Sequence, residues 1–66
     1  MEIEELNRFE GKNIKIILTS GWIYTNIVFR ITINGSIEFK DRSGEIILVK
    51  PGFIEVISKS VGGKDD

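Results

Sequence analysis

Cysteine, histidine, alanine and glutamine occur nowhere in this sequence, and proline occurs once. Without cysteine there is no disulfide framework, and without cysteine or histidine the usual zinc ligand sets are excluded. The same absences weigh against catalysis. Glu38, Asp41, Glu45 and Glu55 are the only acids between residues 11 and 64, and no histidine, cysteine or nucleophile motif is there to pair with them. The expectation is a non-enzymatic protein with no cofactor, no metal and no small-molecule substrate. Long hydrophobic runs are also missing, since nothing approaches the about eighteen apolar residues of a membrane-spanning helix. The opening MEIEELNRFEGK is acidic and lacks a cleavage pattern. A soluble, cytoplasmic protein without a membrane partner is expected.

Strong charge of either sign is lacking too: the net charge is −1. Its distribution is uneven. Glu2, Glu4, Glu5, Glu10, Asp65 and Asp66 sit at the two ends, leaving eight basic against four acidic residues, +4, between residues 11 and 64. A mildly basic body with acidic ends is compatible with weak nucleic-acid binding and equally with an ordinary solvated surface.

What the chain has in quantity is isoleucine, thirteen of its 66 residues. A domain this short buries only about 60% of its unfolded surface. Dense apolar content and burial against identical copies are the two visible supplements to so small a core. The bias toward Ile, Lys and Glu is compatible with a thermophilic source.

The spacing of Ile3, Leu6 and Phe9 predicts a short helix over residues 2 to 9, with acids in its first turn and Gly11 after it. From residue 13 the period changes to two. NIKIILT predicts a first strand with Ile14, Ile16 and Leu18 on one face. IYTNIVFRITI predicts a long second strand in which Ile23, Thr25, Ile27, Phe29, Ile31 and Ile33 share a face, with Ile27, Phe29 and Ile31 inside. That run would extend over about 30 Å if straight, so it must bend strongly to fit one small domain. Asn34-Gly35 signals a two-residue type I′ or similar hairpin, and SIEFK, EIILVK and FIEVIS predict three further strands parted by DRSG and Pro51-Gly52.

This order describes a mainly β protein: an SH3-like or Sm-like small barrel of five strongly bent antiparallel strands with a short N-terminal helix. An OB-type barrel is the alternative, but it calls for a helix where this chain has a turn. Residues 1–60 are expected to form one domain and residues 61–66 a flexible tail.

FEGKNIKIILTSGWIYTNIVF and LVKPGFIEVIS resemble the opening and closing motifs of the Sm-like (LSm and Hfq) family, as a divergent, archaeal-type member. Residues 1 to 58 take part. Gly21 and Tyr24 match, Asn26 stands where the family has a glycine that eases the bend, and Val49, Lys50, Ile54 and Ile57 fall on the closing motif, with Pro51 at the usual glycine. The resemblance implies a homo-oligomeric ring in which the fourth strand of one subunit adds to the fifth of the next. It further implies single-stranded RNA as a candidate ligand at Asn34, Ser36, Lys50 and Gly52. No aromatic occupies the family's stacking position near Thr32 to Ser36, so INGS reads first as a hairpin and second as a nucleotide pocket. The other class of function is an SH3-like interaction or structural module without nucleic acid. Strands four and five carry aliphatics on both faces, which implies either a partner on the outer face or cover by the helix. Ile47, Val49, Phe53 and Ile57 are the expected oligomer contacts. Trp22 and Tyr24 are candidates for base stacking or for closing the barrel mouth, and Arg30, Lys40 and Arg42 for phosphate contacts or for surface charge.

Overall fold

The computed structural model describes residues 1–60; the expected tail at 61–66 lies outside the described residues. Helix α1 covers Ile3–Asn7 and is followed by strands β1 Ile14–Leu18, β2 Ile23–Ile27, β3 Phe29–Ile31, β4 Ile37–Lys40 and β5 Ile46–Val49. A 3-10 turn at Pro51–Phe53 then leads into β6, Ile54–Lys59. The strands form two three-stranded antiparallel sheets of order β2-β1-β6 and β3-β4-β5. No helix among the described residues is long and apolar enough to cross a membrane.

Six strands appear where five were expected because the long second strand divides into β2 and β3. The break falls at Val28, and the irregularity begins two residues earlier, at Asn26. Its φ of 56° lies in the left-handed region, which Asn tolerates better than any β-branched residue. Across the same place two steps of β1 oppose three of β2, Ile14 facing Ile27 and Ile16 facing Tyr24. One extra residue of this kind is a β-bulge, which bends the strand and reverses which side chains point inward. Downstream of it Ile27 and Phe29 are buried as the alternation predicts. Upstream the phase is inverted: Ile23 is exposed, and Tyr24 turns in to meet Phe39 edge-on at 4.9 Å between ring centroids. Ile31 is half-buried and Ile33, at the turn, is fully exposed.

The hairpin at Asn34-Gly35 also differs from the expected type I′. Gly35 has φ +84° while Asn34 keeps a negative φ. Gly35 N–H donates to Thr32 O at 3.0 Å and Thr32 N–H to Ser36 O at 2.8 Å, so three residues, Ile33 to Gly35, form the loop. This is a type I turn followed by a left-handed glycine, the next commonest hairpin solution. The turn from Asp41 to Glu45 closes in the same way.

The core lies between the two sheets. Ile14 and Ile16 from β1, Ile27 and Phe29 on either side of the bend, Ile37 and Phe39 from β4, Val49 and Ile54 are all buried. Leu6 joins them with no exposed surface, and the partly buried Ile3 and Phe9 pack against the same core, which explains how a helix shorter than the predicted 2 to 9 persists: packing of its apolar side chains holds it rather than intrinsic propensity. Each such side chain contributes about 1.5–3 kcal/mol.

Asp41 ties its turn together. Its Oδ1 accepts from Ser43 Oγ at 2.7 Å, Ser43 N–H at 2.9 Å and Glu45 N–H at 3.0 Å. The Ser43 hydroxyl, with the backbone N–H groups behind it, holds the carboxyl below its ordinary 3.8. A lowered native value means that the contribution is complete above the ordinary pKa and disappears as pH falls through the native one. The stability gap between wild type and Asp41→Ala should therefore be constant near neutrality and close in acid below 3.8. Urea unfolding of both proteins at pH 7 and in that acid range checks it; an unchanged gap contradicts it.

Candidate assembly edges and nucleic-acid face

β5 and β6 follow one another in the chain, yet they belong to different sheets. β5 pairs only with β4, and β6 only with β1. Pro51 starts the 3-10 turn between them, and its missing N–H and fixed φ suit the first position of such a turn. The chain therefore turns away instead of continuing as a hairpin. Among the described residues, the other edge of each strand has no strand partner.

Apolar side chains gather beside these edges. Register fixes which ones. Ile47 and Val49 oppose Phe39 and Ile37, both buried, whereas Ile46 and Leu48 oppose Lys40 and Glu38. Ile47 and Val49 consequently point to the core, and the outward residues of β5 are Ile46, 55% exposed, and Leu48, 65% exposed. In β6 a second register shift places Ile54 opposite Leu18 and Val56 opposite Ile17. Ile54 is buried, Val56 is exposed, and Ile57 is half-buried against the core. Of the four residues expected at an oligomer contact, only Phe53 is exposed. Helix α1 covers the core through Leu6 but leaves Ile46, Leu48, Phe53 and Val56 open to solvent.

The four residues expected to meet RNA share one end of the β3-β4-β5 sheet. Ile37 opposes Val49, so Ser36 and Lys50 stand one step beyond that pair. Asn34 and Gly52 extend the two connections from there. Asn34, Lys50 and Gly52 are exposed and Ser36 is half-buried. Ser36 uses its N–H on Thr32 Oγ1 at 3.3 Å, while the 3-10 turn is closed by Phe53 N–H donating to Lys50 O at 3.0 Å.

Lys50 also borders a groove of about 430 Å3 with Leu18, Thr19, Ser20, Leu48, Val49 and Phe53. Two of these lining residues are joined directly, Thr19 N–H donating to Phe53 O at 2.9 Å. Lys50 is the one charged residue among the seven lining it. An anionic ligand there meets no opposing carboxylate from the lining.

The remaining candidates separate. Arg30 Nε donates to Glu38 Oε1 at 3.2 Å on the outer face of its sheet, an exposed pair worth about 0–1 kcal/mol. Tyr24 is half-buried and packs on Phe39, whereas Trp22 is 62% exposed and lies 6.3 Å from Tyr24 at a tilt of 57°. No family model, curated protein or solved structure matches this chain.

Proposed function

We propose that this chain is a non-enzymatic, divergent Sm-like small barrel that assembles with its own copies into a ring and offers single-stranded RNA the end carrying Asn34, Ser36, Lys50 and Gly52. The observation that carries the assembly is a coincidence of two features in one stretch of chain: strand edges without a strand partner on β5 and β6, and exposed Ile46, Leu48, Phe53 and Val56 on those strands and the turn between them. An open edge offers backbone donors and acceptors to another chain. Pairing β5 of one copy with β6 of the next uses two different surfaces, and a heterologous contact of this kind closes into a ring when its rotation allows.

For RNA the support is positional. Lys50 brings a positive charge, and Asn34 and Ser36 bring side chains that both donate and accept hydrogen bonds, to one end of a sheet. The turn from Thr32 to Ser36 contains no aromatic, and stacking on an aromatic is worth about 1–3 kcal/mol per base. Binding is therefore weak at each subunit, dominated by phosphate attraction, and strengthened when a long strand reaches several copies.

Titration of labelled oligo-U and oligo-A at low and moderate salt tests this. Affinity should fall steeply with salt. Lys50→Ala should weaken binding of both sequences and reduce the salt slope by about 0.7 for each phosphate that is no longer neutralised. No binding at low salt contradicts the RNA proposal and leaves the same assembly as an interaction module. Salt-resistant preference for uridine would instead place base recognition ahead of charge.

A further inference from the structure

Strand β3 has two backbone edges, and β4 pairs along one of them. The other is occupied by the two residues that follow the helical turns after α1. Gly11 N–H donates to Phe29 O at 3.2 Å, and Ile31 N–H donates to Glu10 Oε2 at 2.8 Å. Together they fill one acceptor and one donor that an added strand would use. One of the two partners is a side chain. The contact at Ile31 thus depends on a single carboxylate at the end of a flexible stem.

A second feature lies along the same edge. A groove of about 520 Å3 runs from there toward β4 and β5, lined by Glu10, Gly11, Val28, Glu38, Lys40 and Ile46 among others. Val28, 54% exposed, and Ile46 are open apolar surface within it. An incoming strand would find room for its side chains as well as backbone groups to pair with. What stands in its way is the Glu10–Gly11 segment.

We infer that Glu10 determines the specificity of self-association: its carboxylate occupies the β3 edge and keeps a strand of a second copy from adding there. Addition at β3 is then excluded, while β5 and β6 stay open to the proposed assembly. This last clause rests on the assembly proposed above, whereas the blocking of β3 does not. A ring needs two adhesive edges per subunit, and a third would branch it or stack copies without closure.

The test compares the full-length wild type with Glu10→Ala, Glu10→Asp and Glu10→Gln by sedimentation velocity over a wide concentration range, with far-UV circular dichroism to establish folding. Alanine removes the acceptor, aspartate keeps the charge but falls one methylene short, and glutamine keeps an acceptor oxygen at the original reach. Glu10→Ala and Glu10→Asp should form species heavier than wild type, with self-association strengthened about tenfold or more, as expected for loss of a hydrogen bond to a charged group. Glu10→Gln, which keeps a neutral acceptor at the same reach, should associate less than Glu10→Ala and Glu10→Asp. Folded Glu10→Ala and Glu10→Asp proteins with wild-type sedimentation overturn the inference. If Glu10→Ala fails to fold, Glu10→Asp decides on the same criterion. Loss of fold in both also overturns it, since the carboxylate would then hold the protomer together and not guard an edge. A monomeric wild type whose Glu10→Ala variant associates would refute the β5–β6 assembly and uphold the role of Glu10.

Discussion

Leu48→Lys should reduce the assembly to a folded protomer of 7.5 kDa. Leu48 is 65% exposed in the protomer and lies on the outer face of β5, opposite Glu38. A lysine at that position keeps its ammonium in water while the chain is alone. In the proposed contact the same ammonium is enclosed by apolar side chains, at a cost of several kcal/mol when it has no partner. The effect thus falls on association and spares the fold. Sedimentation velocity and circular dichroism separate the two. Retention of the wild-type mass would remove β5 from the contact, and unfolding of the protomer would show that Leu48 supports the core despite its exposure. Val49→Lys provides the opposite control: Val49 is buried opposite Ile37, so that change should unfold the protomer itself.

Phe29→Ala should cost about 3–5 kcal/mol. Phe29 is 1% exposed, the bulkiest of the fully buried side chains, and it sits just past the bend at Asn26 and Val28. Removal of the ring leaves a cavity between the two sheets where neither strand can close up without moving the bend. Single cores of this size rarely supply more than about 3–5 kcal/mol in total, so the isolated variant should be largely unfolded at 25 °C. Urea titration of this variant in the Leu48→Lys background removes any contribution from assembly. A loss below about 1 kcal/mol would mean that the bend does not carry the core.

Much of this architecture is legible in the residue pattern, and the departure in the second strand has one physical origin. Period-two alternation names the strands because a half-buried strand must alternate. It says nothing about a bulge, and each bulge reverses the faces beyond it. That is why Ile14, Ile16, Ile27 and Phe29 lie inside as the alternation predicts, while Tyr24 is turned in and Ile23 out. Asn26 was the available signal: a residue suited to the left-handed region, at the place where the resembling family has glycine.

Strand β5 has aliphatics at four successive positions, so its composition leaves the two faces equivalent. The hairpin resolves them. A three-residue loop from Arg42 to Gly44 sets Lys40 against Ile46, which assigns Ile46 and Leu48 to the charged, outward face of β4 and turns Ile47 and Val49 to the core. That inference needs the loop type, which the glycine of DRSG indicates. The covering of β3 by Glu10 was not legible at all. It joins residues 21 apart in the chain through a side chain, and no local pattern encodes such a contact. At the candidate RNA face the proximity of Ser36 to Lys50 follows from the same strand register, while the exposed groove beside Lys50 is bordered by Thr19 and Phe53, which meet just beyond the end of the β1–β6 pairing.

Self-assembly through β5 and β6 is the claim on which the proposed function depends, and the mass of the wild-type chain in solution tests it most directly. Sedimentation equilibrium across a hundredfold range of concentration should give one species whose mass is a whole multiple of 7.5 kDa, stable to dilution as a closed ring is. A mass of 7.5 kDa at every concentration would contradict the account, and with it the functional reading built on the ring.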